Sequence, residues 1–292
     1  MSTVVRFAAE LGRWLMKHLD AGQAPEALAH TMQAQGMNER TAQAIVAAFA
    51  DARHRGGAVP VDSIELPEEA PQRASARIAP GTRLLALDRE IVVHSRSDDP
   101  VIATLGNVAS ADECRAVIEM ARPRLAPSTL VDPVSGRDVV STKRTSWGMF
   151  FRPAENELIA RIDRRLAALM NLPLANGEGL QVLHYPTGAG SEPHHDYLAP
   201  GNAANRESIA RSGQRVSTLV AYLNEVPEGG QTVFPQLGVA ISPLPGNACY
   251  FEYGDDAGRV DARSLHASAP VTRGEKWVMT KWMRNRPFVS SG

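Results

Sequence analysis

Cysteine is almost missing from this 292-residue chain: Cys114 and Cys249 are its only two. Two thiols cannot make a disulfide framework, so the expected compartment is a reducing one, the cytoplasm. Charge of one sign is not in excess either, with 31 Lys+Arg against 32 Asp+Glu and a formal net charge of −1. A dedicated nucleic-acid binder carries a marked basic excess, so nucleic acid is not an expected partner. No apolar run approaches the roughly 20 residues of a membrane span, and no membrane association is expected. The opening MSTVVRFAAELGRW sets Arg6, Glu10 and Arg13 too close together for the apolar stretch of a secretory signal. Internal repeats and low-complexity tracts are absent. Lysine is scarce, at four of the 31 basic residues, which reads as the coding bias of a high-GC bacterial gene. What is plentiful is apolar residue, 43% of the chain, enough for a sizeable core in one large or two ordinary domains.

The first 55 residues read as a small helical module. Val4, Phe7, Leu11, Trp14, Leu15 and His18 recur at three- and four-residue steps, giving one apolar stripe. Pro25 suits the first turn of a second helix and Gly36 its end; Asn38 is placed to cap a third, with Ala42, Ile45, Val46 and Phe49 on one face. A three-helix pattern also suits helix-turn-helix DNA binding, but no basic recognition face is present, so docking or dimerisation is the plainer reading. Residues 56–80 hold four prolines, two glycines and no sustained period, which predicts a linker. From residue 81 to 292 the texture changes. A hairpin is expected around Asp88-Arg89-Glu90, and a further apolar run at Val101–Leu105. Ser110-Ala-Asp-Glu113 fits a capping box opening a helix to about Ala121, and Glu155–Met170 reads as a second helix. After Asn171 come short strands and turns: 180–185, 215–223, 231–234, 248–253, 264–268 and 277–284. The fold expected is mainly β with flanking helices, a sandwich or barrel braced by helices.

Chemistry concentrates in two places. His194, His195 and Asp196 lie in SEPHHDYL, and His266 lies in SLHASAP. On a strand, residues two apart share a face, so His194 and Asp196 can converge while His195 turns away. An imidazole from a distant strand would complete two His and one carboxylate, the open-sided set that suits non-haem Fe(II) oxygen chemistry. Alone, His-x-Asp is weak, because turn aspartates and satisfied histidines are commoner than metal sites. The spacing downstream strengthens it. Lys276 stands ten residues after His266 in GEKWVMTKWMR, flanked by Trp277 and Val278, where a buried ammonium would be costly without an anion. An edge-strand lysine with its amine in water is the bland reading; beside His-x-Asp…His, a carboxylate-bearing co-substrate explains it better. Cys249 in ACYFEY reads as packing, and His184 as structural.

At these residues the chain resembles the prolyl 4-hydroxylase type of 2-oxoglutarate/Fe(II)-dependent dioxygenases, as a bacterial member with an extra N-terminal helical module. The resemblance runs from about residue 100 to 286. It is carried by LGNVASADECRAVIEMA, KRTSWGMFF, LQVLHYPTGAGSEPHHDY, QRVSTLVAYLNEVPEGGQTVFP and SLHASAPVTRGEKWVMTKWMR, in the family's order and spacing. It implies a double-stranded β-helix (jelly roll) catalytic domain, with His194, Asp196 and His266 as iron ligands. It implies too that Lys276, Tyr185 and Thr232 hold the distal carboxylate of 2-oxoglutarate. Iron, 2-oxoglutarate, O2 and ascorbate as reductant would be the cofactors. A protein or peptide containing proline would be the substrate, with succinate and CO2 as co-products. Related halogenases replace the carboxylate ligand, but Asp196 is present. Lysyl-hydroxylase-like and nucleic-acid-demethylase-like members usually carry arginine where Lys276 stands, so the lysine points to the prolyl branch.

The resemblance places Arg144, Ser146, Glu178, Arg215, Trp282 and Arg284 along a peptide groove. The chain departs from the pattern at Ser191, where a tyrosine is common, and a smaller residue there reshapes the proline pocket. Residues 199–213 read as a loop longer than usual and, with 133–142, as a candidate lid. Two other functions suit the same sequence: a dioxygenase of this fold acting on another side chain or a free amino acid, and an iron-retaining sensor that turns over poorly.

Overall fold

The computed structural model describes residues 3–55, 57–66, 76–131, 138–140, 145–255 and 258–290. They divide into two compact units, 1–73 and 74–292. In the first, helices α1 (Ala9–Asp20), α2 (Pro25–Ala34) and α3 (Glu39–Arg55) enclose Leu15, Leu19, Leu28, Met32, Ile45 and Phe49. Pro25 opens α2, where its missing N–H costs nothing, and Gly36 follows the helix at φ +92°, a conformation side chains resist. Gly12 lets α1 and α3 approach, since a Cβ there would lie 3.1 Å from the Phe49 ring.

Residues 3–6 extend rather than start a helix. Thr3–Arg6 pairs antiparallel with Ser63–Leu66, and Ile64 and Leu66 join the core of this unit. The expected linker 56–80 is therefore structured at both ends. At its far end Ile78 is buried in the core of the second unit, and the Arg77 backbone N–H and guanidinium both donate to Glu252 (2.7 and 3.2 Å). Residues 67–75 lie outside the described residues.

The second unit is a two-sheet sandwich. Its larger sheet has nine antiparallel strands in the spatial order Arg83–Ala86, Arg89–Asp98, Val101–Gly106, Ala248–Glu252, Arg215–Tyr222, Lys276–Arg284, Gln181–Tyr185, Trp147–Phe150 and Ala126–Pro127. The smaller has four: Ser191–His194, His266–Ser268, Thr232–Phe234 and Val239–Ile241. This is the jelly-roll arrangement that the resemblance implies, and one of the two forms, sandwich or barrel, that the strand pattern predicts. Helices α4 (Ala111–Ala121) and α5 (Glu157–Leu169) cover the outer face of the larger sheet, through Cys114, Val117, Ile159, Ile162 and Leu166. Central strand Lys276–Arg284 is buried throughout. Its alternate residues serve two cores: Met279 and Met283 pack outward against the helices, while Val278 packs inward between the sheets with Leu183, Tyr222 and Phe251.

Helix α4 starts where the sequence says, and α5 begins at Glu157, two residues after the expected Glu155. Ser110 and Glu113 form the capping box, and Asn156 accepts from the Ile159 N–H to cap α5. Glu113 also pairs with buried Arg165, which grips Asp88 as well. Residues 199–213 are not a loop. They carry helix α6 (Ala203–Ser212), capped by Asn202 and closed by Gly213 at φ +73°. In the other candidate lid, Asp138–Val140 pairs with Thr129–Val131, and 133–137 and 141–142 lie outside the described residues. Among the described residues no helix is long and apolar enough to cross a membrane.

Candidate active site

Two antiparallel strands bring the histidines together. His194 ends one strand of the smaller sheet, His266 begins its neighbour, and they are register partners with ring centroids 4.5 Å apart. Asp196 lies just past the strand end, in a bend, and so meets His194 by a turn of the chain rather than by strand alternation. His195 points away, bonding the Ala262 carbonyl and stacking on Tyr197. His194 Nε2 lies 3.8 Å from Asp196 Oδ1 and His266 Nε2 lies 3.7 Å from Oδ2. The Nδ1 atoms of both rings face backbone carbonyls, of Glu192 (2.9 Å) and Ser264 (3.0 Å). A carbonyl only accepts, so Nδ1 carries the proton and Nε2 presents its lone pair towards Asp196. Burial opposes charge on Asp196, yet the His266 and His194 rings hold its carboxyl down to about 2. Burial pushes His266 down to about 4, against the pull of Asp196. Near neutrality the site thus offers an anionic carboxylate and an unprotonated imidazole, the forms that ligate metals. These three are the one set of potential ligands within 4.8 Å of one another among the described residues.

The cavity beside them is floored by both sheets. Tyr185 and Lys276 are register partners on the larger sheet, and Thr232 and Ser268 on the smaller. The Lys276 ammonium is buried, 2% exposed, and donates to the Gly230 carbonyl (2.6 Å) and Ser268 Oγ (2.9 Å). Gly230 sits at φ +69°, and a Cβ there would press on Lys276 Cδ at 3.2 Å. No carboxylate pairs with Lys276 among the described residues, and burial lowers its pKa to about 7. A cation taken out of water with only neutral acceptors is a standing cost that an anion would remove. Thr232 accepts from the Tyr222 hydroxyl (2.8 Å), and Ser191, Tyr185, Thr232 and Lys276 line one cavity with His194, Asp196 and His266.

The groove residues divide. Trp282 lines the cavity, with the Arg215 guanidinium 4.0 Å above its ring and half-exposed Phe150 beside it (6.2 Å). Glu178 and Arg284 are buried and paired with each other. Glu178 receives Arg215 through both carboxylate oxygens (2.6 and 2.8 Å) and Arg284 through one (2.7 Å). Arg284 is 2% exposed and gives its other donors to Ser208 and Gly213, anchoring α6. Ser146 is buried against Ser128 (3.0 Å). Arg144 lies outside the described residues. Cys249 is fully buried, and burial raises its thiol pKa well above the ordinary value, in keeping with packing. His184 bonds Glu275 (2.7 Å) and stacks on Trp277, away from the site.

Residues that went unremarked in the sequence also shape the site. Ser268 shares the strand face of His266 two residues on, a period-of-two signal that points to it. Thr218 donates to Asp196 Oδ2 (2.8 Å), and nothing in its sequence context marks it out.

Comparison with known proteins agrees with this geometry. Residues 180–284 match the family model described as the 2OG-Fe(II) oxygenase superfamily, a span that includes His194, Asp196 and His266. Prolyl 4-hydroxylase 1 of Arabidopsis thaliana is 38% identical over 202 residues, which cover 64% of this chain and 70% of that protein. The chain belongs to the prolyl 4-hydroxylase family. Probable prolyl 4-hydroxylase 3 of the same plant is 37% identical over 196 residues, covering 61% of this chain and 67% of its own. A solved structure, the viral collagen prolyl hydroxylase of Paramecium Bursaria Chlorella virus-1 in its 2OG complex, shares 27% identity. It covers 62% of this chain and 94% of that one, with a TM-score of 0.49. In this prolyl 4-hydroxylase family member the donor set, two imidazoles and a carboxylate with open sides, fits Fe(II), and the unpaired Lys276 beside it fits a dicarboxylate co-substrate.

Proposed function

We propose that this chain is a 2-oxoglutarate- and Fe(II)-dependent dioxygenase that hydroxylates prolyl residues in a peptide or protein. The observation that carries the reading is a buried ammonium with no carboxylate partner among the described residues, in one cavity with a His-Asp-His set. His194, Asp196 and His266 would hold the iron. Bound there, iron supplies oxygen activation coupled to decarboxylation of 2-oxoglutarate to succinate and CO2, with ascorbate as reductant. Lys276 would take the distal carboxylate as a point charge, with the Tyr185 and Thr232 hydroxyls beside it. The apolar walls Leu183, Val220 and Val278 keep water from the reacting atoms.

One buried polar atom supports a peptide as substrate. The Gln181 side-chain carbonyl has no hydrogen-bond partner among the described residues, and Gln181 lies on the same strand face as Leu183 and Tyr185, which line the cavity. An amide-bearing substrate would offer it an N–H. Arg215 over Trp282, with Phe150 at the rim, provides the cationic and aromatic surface of the groove. Two free, buried cysteines support a cytoplasmic setting.

The test is mass spectrometry of proline-containing peptides incubated with enzyme, Fe(II), ascorbate and 2-oxoglutarate. One added oxygen on a proline, with stoichiometric succinate, is expected. Oxygen on another residue type would move the enzyme to a different substrate class. Binding of iron and 2-oxoglutarate with no turnover on any peptide would make it a sensor.

The two units are proposed to be separable, with the helical one serving as a docking module. The boundary matters. A chain beginning at Ala74 keeps Arg77 and Ile78, whereas one beginning at Arg83 loses the Glu252 ion pair and a buried isoleucine. Burying an isoleucine contributes about 1.5–3 kcal/mol, and in a domain of this size each kcal/mol moves the melting point by roughly 2–4 °C. The Ala74 form should therefore melt several degrees above the Arg83 form, as differential scanning calorimetry would measure. Equal melting points would show that residues 74–82 do not belong to the catalytic unit.

A further inference from the structure

We propose that Thr218 is a positioning residue of the metal centre, holding the Asp196 carboxylate in place through a hydroxyl relay that begins at Tyr253. This rests on the reading that His194, Asp196 and His266 hold a metal.

The direction of the relay follows from a count of protons. Thr218 Oγ1 lies 2.8 Å from Asp196 Oδ2 and 2.9 Å from the Tyr253 hydroxyl. An ionised carboxylate only accepts, so the single hydroxyl proton of Thr218 goes to Asp196. Tyr253 must then donate to Thr218 in turn. Thr218 and Tyr253 are both buried, Thr218 on strand Arg215–Tyr222 and Tyr253 immediately after its neighbour Ala248–Glu252, so neither hydroxyl has water to turn to. Asp196 is gripped at its backbone as well, its carbonyl accepting from Arg215 Nη1 (3.2 Å), and Arg215 is fixed by two bonds to Glu178.

The consequence is rotational. Asp196 sits in a bend beyond the end of its strand, so no ladder of backbone bonds fixes its side chain. Without the Thr218 bond, Oδ2 becomes a buried acceptor lacking its hydroxyl donor, and the carboxylate loses one of the contacts that set its χ angles. Outer-shell partners of metal ligands typically contribute about 10–100-fold in metal affinity. Thr218 is the side chain in that position here.

The measurement is the dissociation constant for Mn(II), a redox-stable ion with similar donor preferences, read from the electron paramagnetic resonance of free Mn(II) against full-length protein. Thr218→Val keeps the side-chain shape and removes the proton; it should weaken Mn(II) binding about 10–100-fold. Thr218→Ser restores the hydroxyl and should bind within about threefold of wild type, while Tyr253→Phe should fall between the two. A purely structural Thr218 would shift the melting temperature of Thr218→Val and leave its Mn(II) affinity alone, which would overturn the proposal. So would a Thr218→Ser variant as weak as Thr218→Val. If Thr218→Val fails to fold, Thr218→Ser and Tyr253→Phe decide the matter: wild-type affinity for Tyr253→Phe would remove the relay. Failure of wild-type protein to bind Mn(II) at all would instead sink the metal-site reading itself.

Discussion

His266→Ala should leave a folded protein that neither retains iron nor decarboxylates 2-oxoglutarate. His266 is buried, and its imidazole is one of three potential metal donors that converge here among the described residues. Loss of an outer-shell contact alone weakens metal binding about 10–100-fold, so loss of a direct ligand should cost at least about a hundredfold. It should also change the geometry that leaves coordination positions open for co-substrate and oxygen. His194→Ala and Asp196→Ala should behave alike, for the same reason. Iron content after dialysis and succinate release measure the two effects separately. Wild-type iron content in any of the three variants would remove that residue from the centre. The fold should survive, because the ring occupies a cavity between the sheets rather than the core that joins them to α4 and α5.

The site was legible where its chemistry uses scarce residues. A His-x-Asp pair with a histidine seventy residues beyond it, and one of four lysines, stand out against a background of arginine. Thr218 and Tyr253 did not, because hydroxyl residues are common in strands and their roles here depend on which strands become neighbours. For Glu178 and Arg284 the resemblance fixes where each residue falls along the chain, but not that their charges meet inside the protein. In the fold, the long amphipathic helices and the buried strands announced themselves by periodicity. Ser63–Leu66 did not. Four residues among prolines become a strand only because Thr3–Arg6 lies beside them, a pairing across about sixty residues that no local pattern records. Helix α6 escaped notice for a related reason, since AANRESIARS has no apolar stripe and is held by Asn202 at one end and Arg284 along its last turn.

Lys276→Met should move two properties in opposite directions. For co-substrate binding it removes a charge-assisted contact worth roughly 1.5–3 kcal/mol, so the dissociation constant for 2-oxoglutarate should rise at least about tenfold. For stability of the ligand-free protein it should be favourable, because it replaces a buried ammonium that has only neutral acceptors with an apolar chain of similar length. The pH dependence separates this account from a generic loss of packing. Burial lowers the lysine from 10.5 to about 7 in the folded protein. Between those values the unfolded chain binds more protons than the folded one, so wild-type stability should rise with pH from about 7 to 10.5. Below pH 7 both states are protonated and the penalty is constant. In Lys276→Met that rise should disappear. Binding of 2-oxoglutarate restores a partner to the ammonium, so at pH 8 the wild-type protein should take up a proton as it binds. Titration calorimetry in two buffers of different ionisation enthalpy reads that uptake directly. If Lys276→Met binds 2-oxoglutarate as tightly as wild type, or if no proton is taken up at pH 8, the ammonium does not hold the co-substrate and the carboxylate must be bound elsewhere.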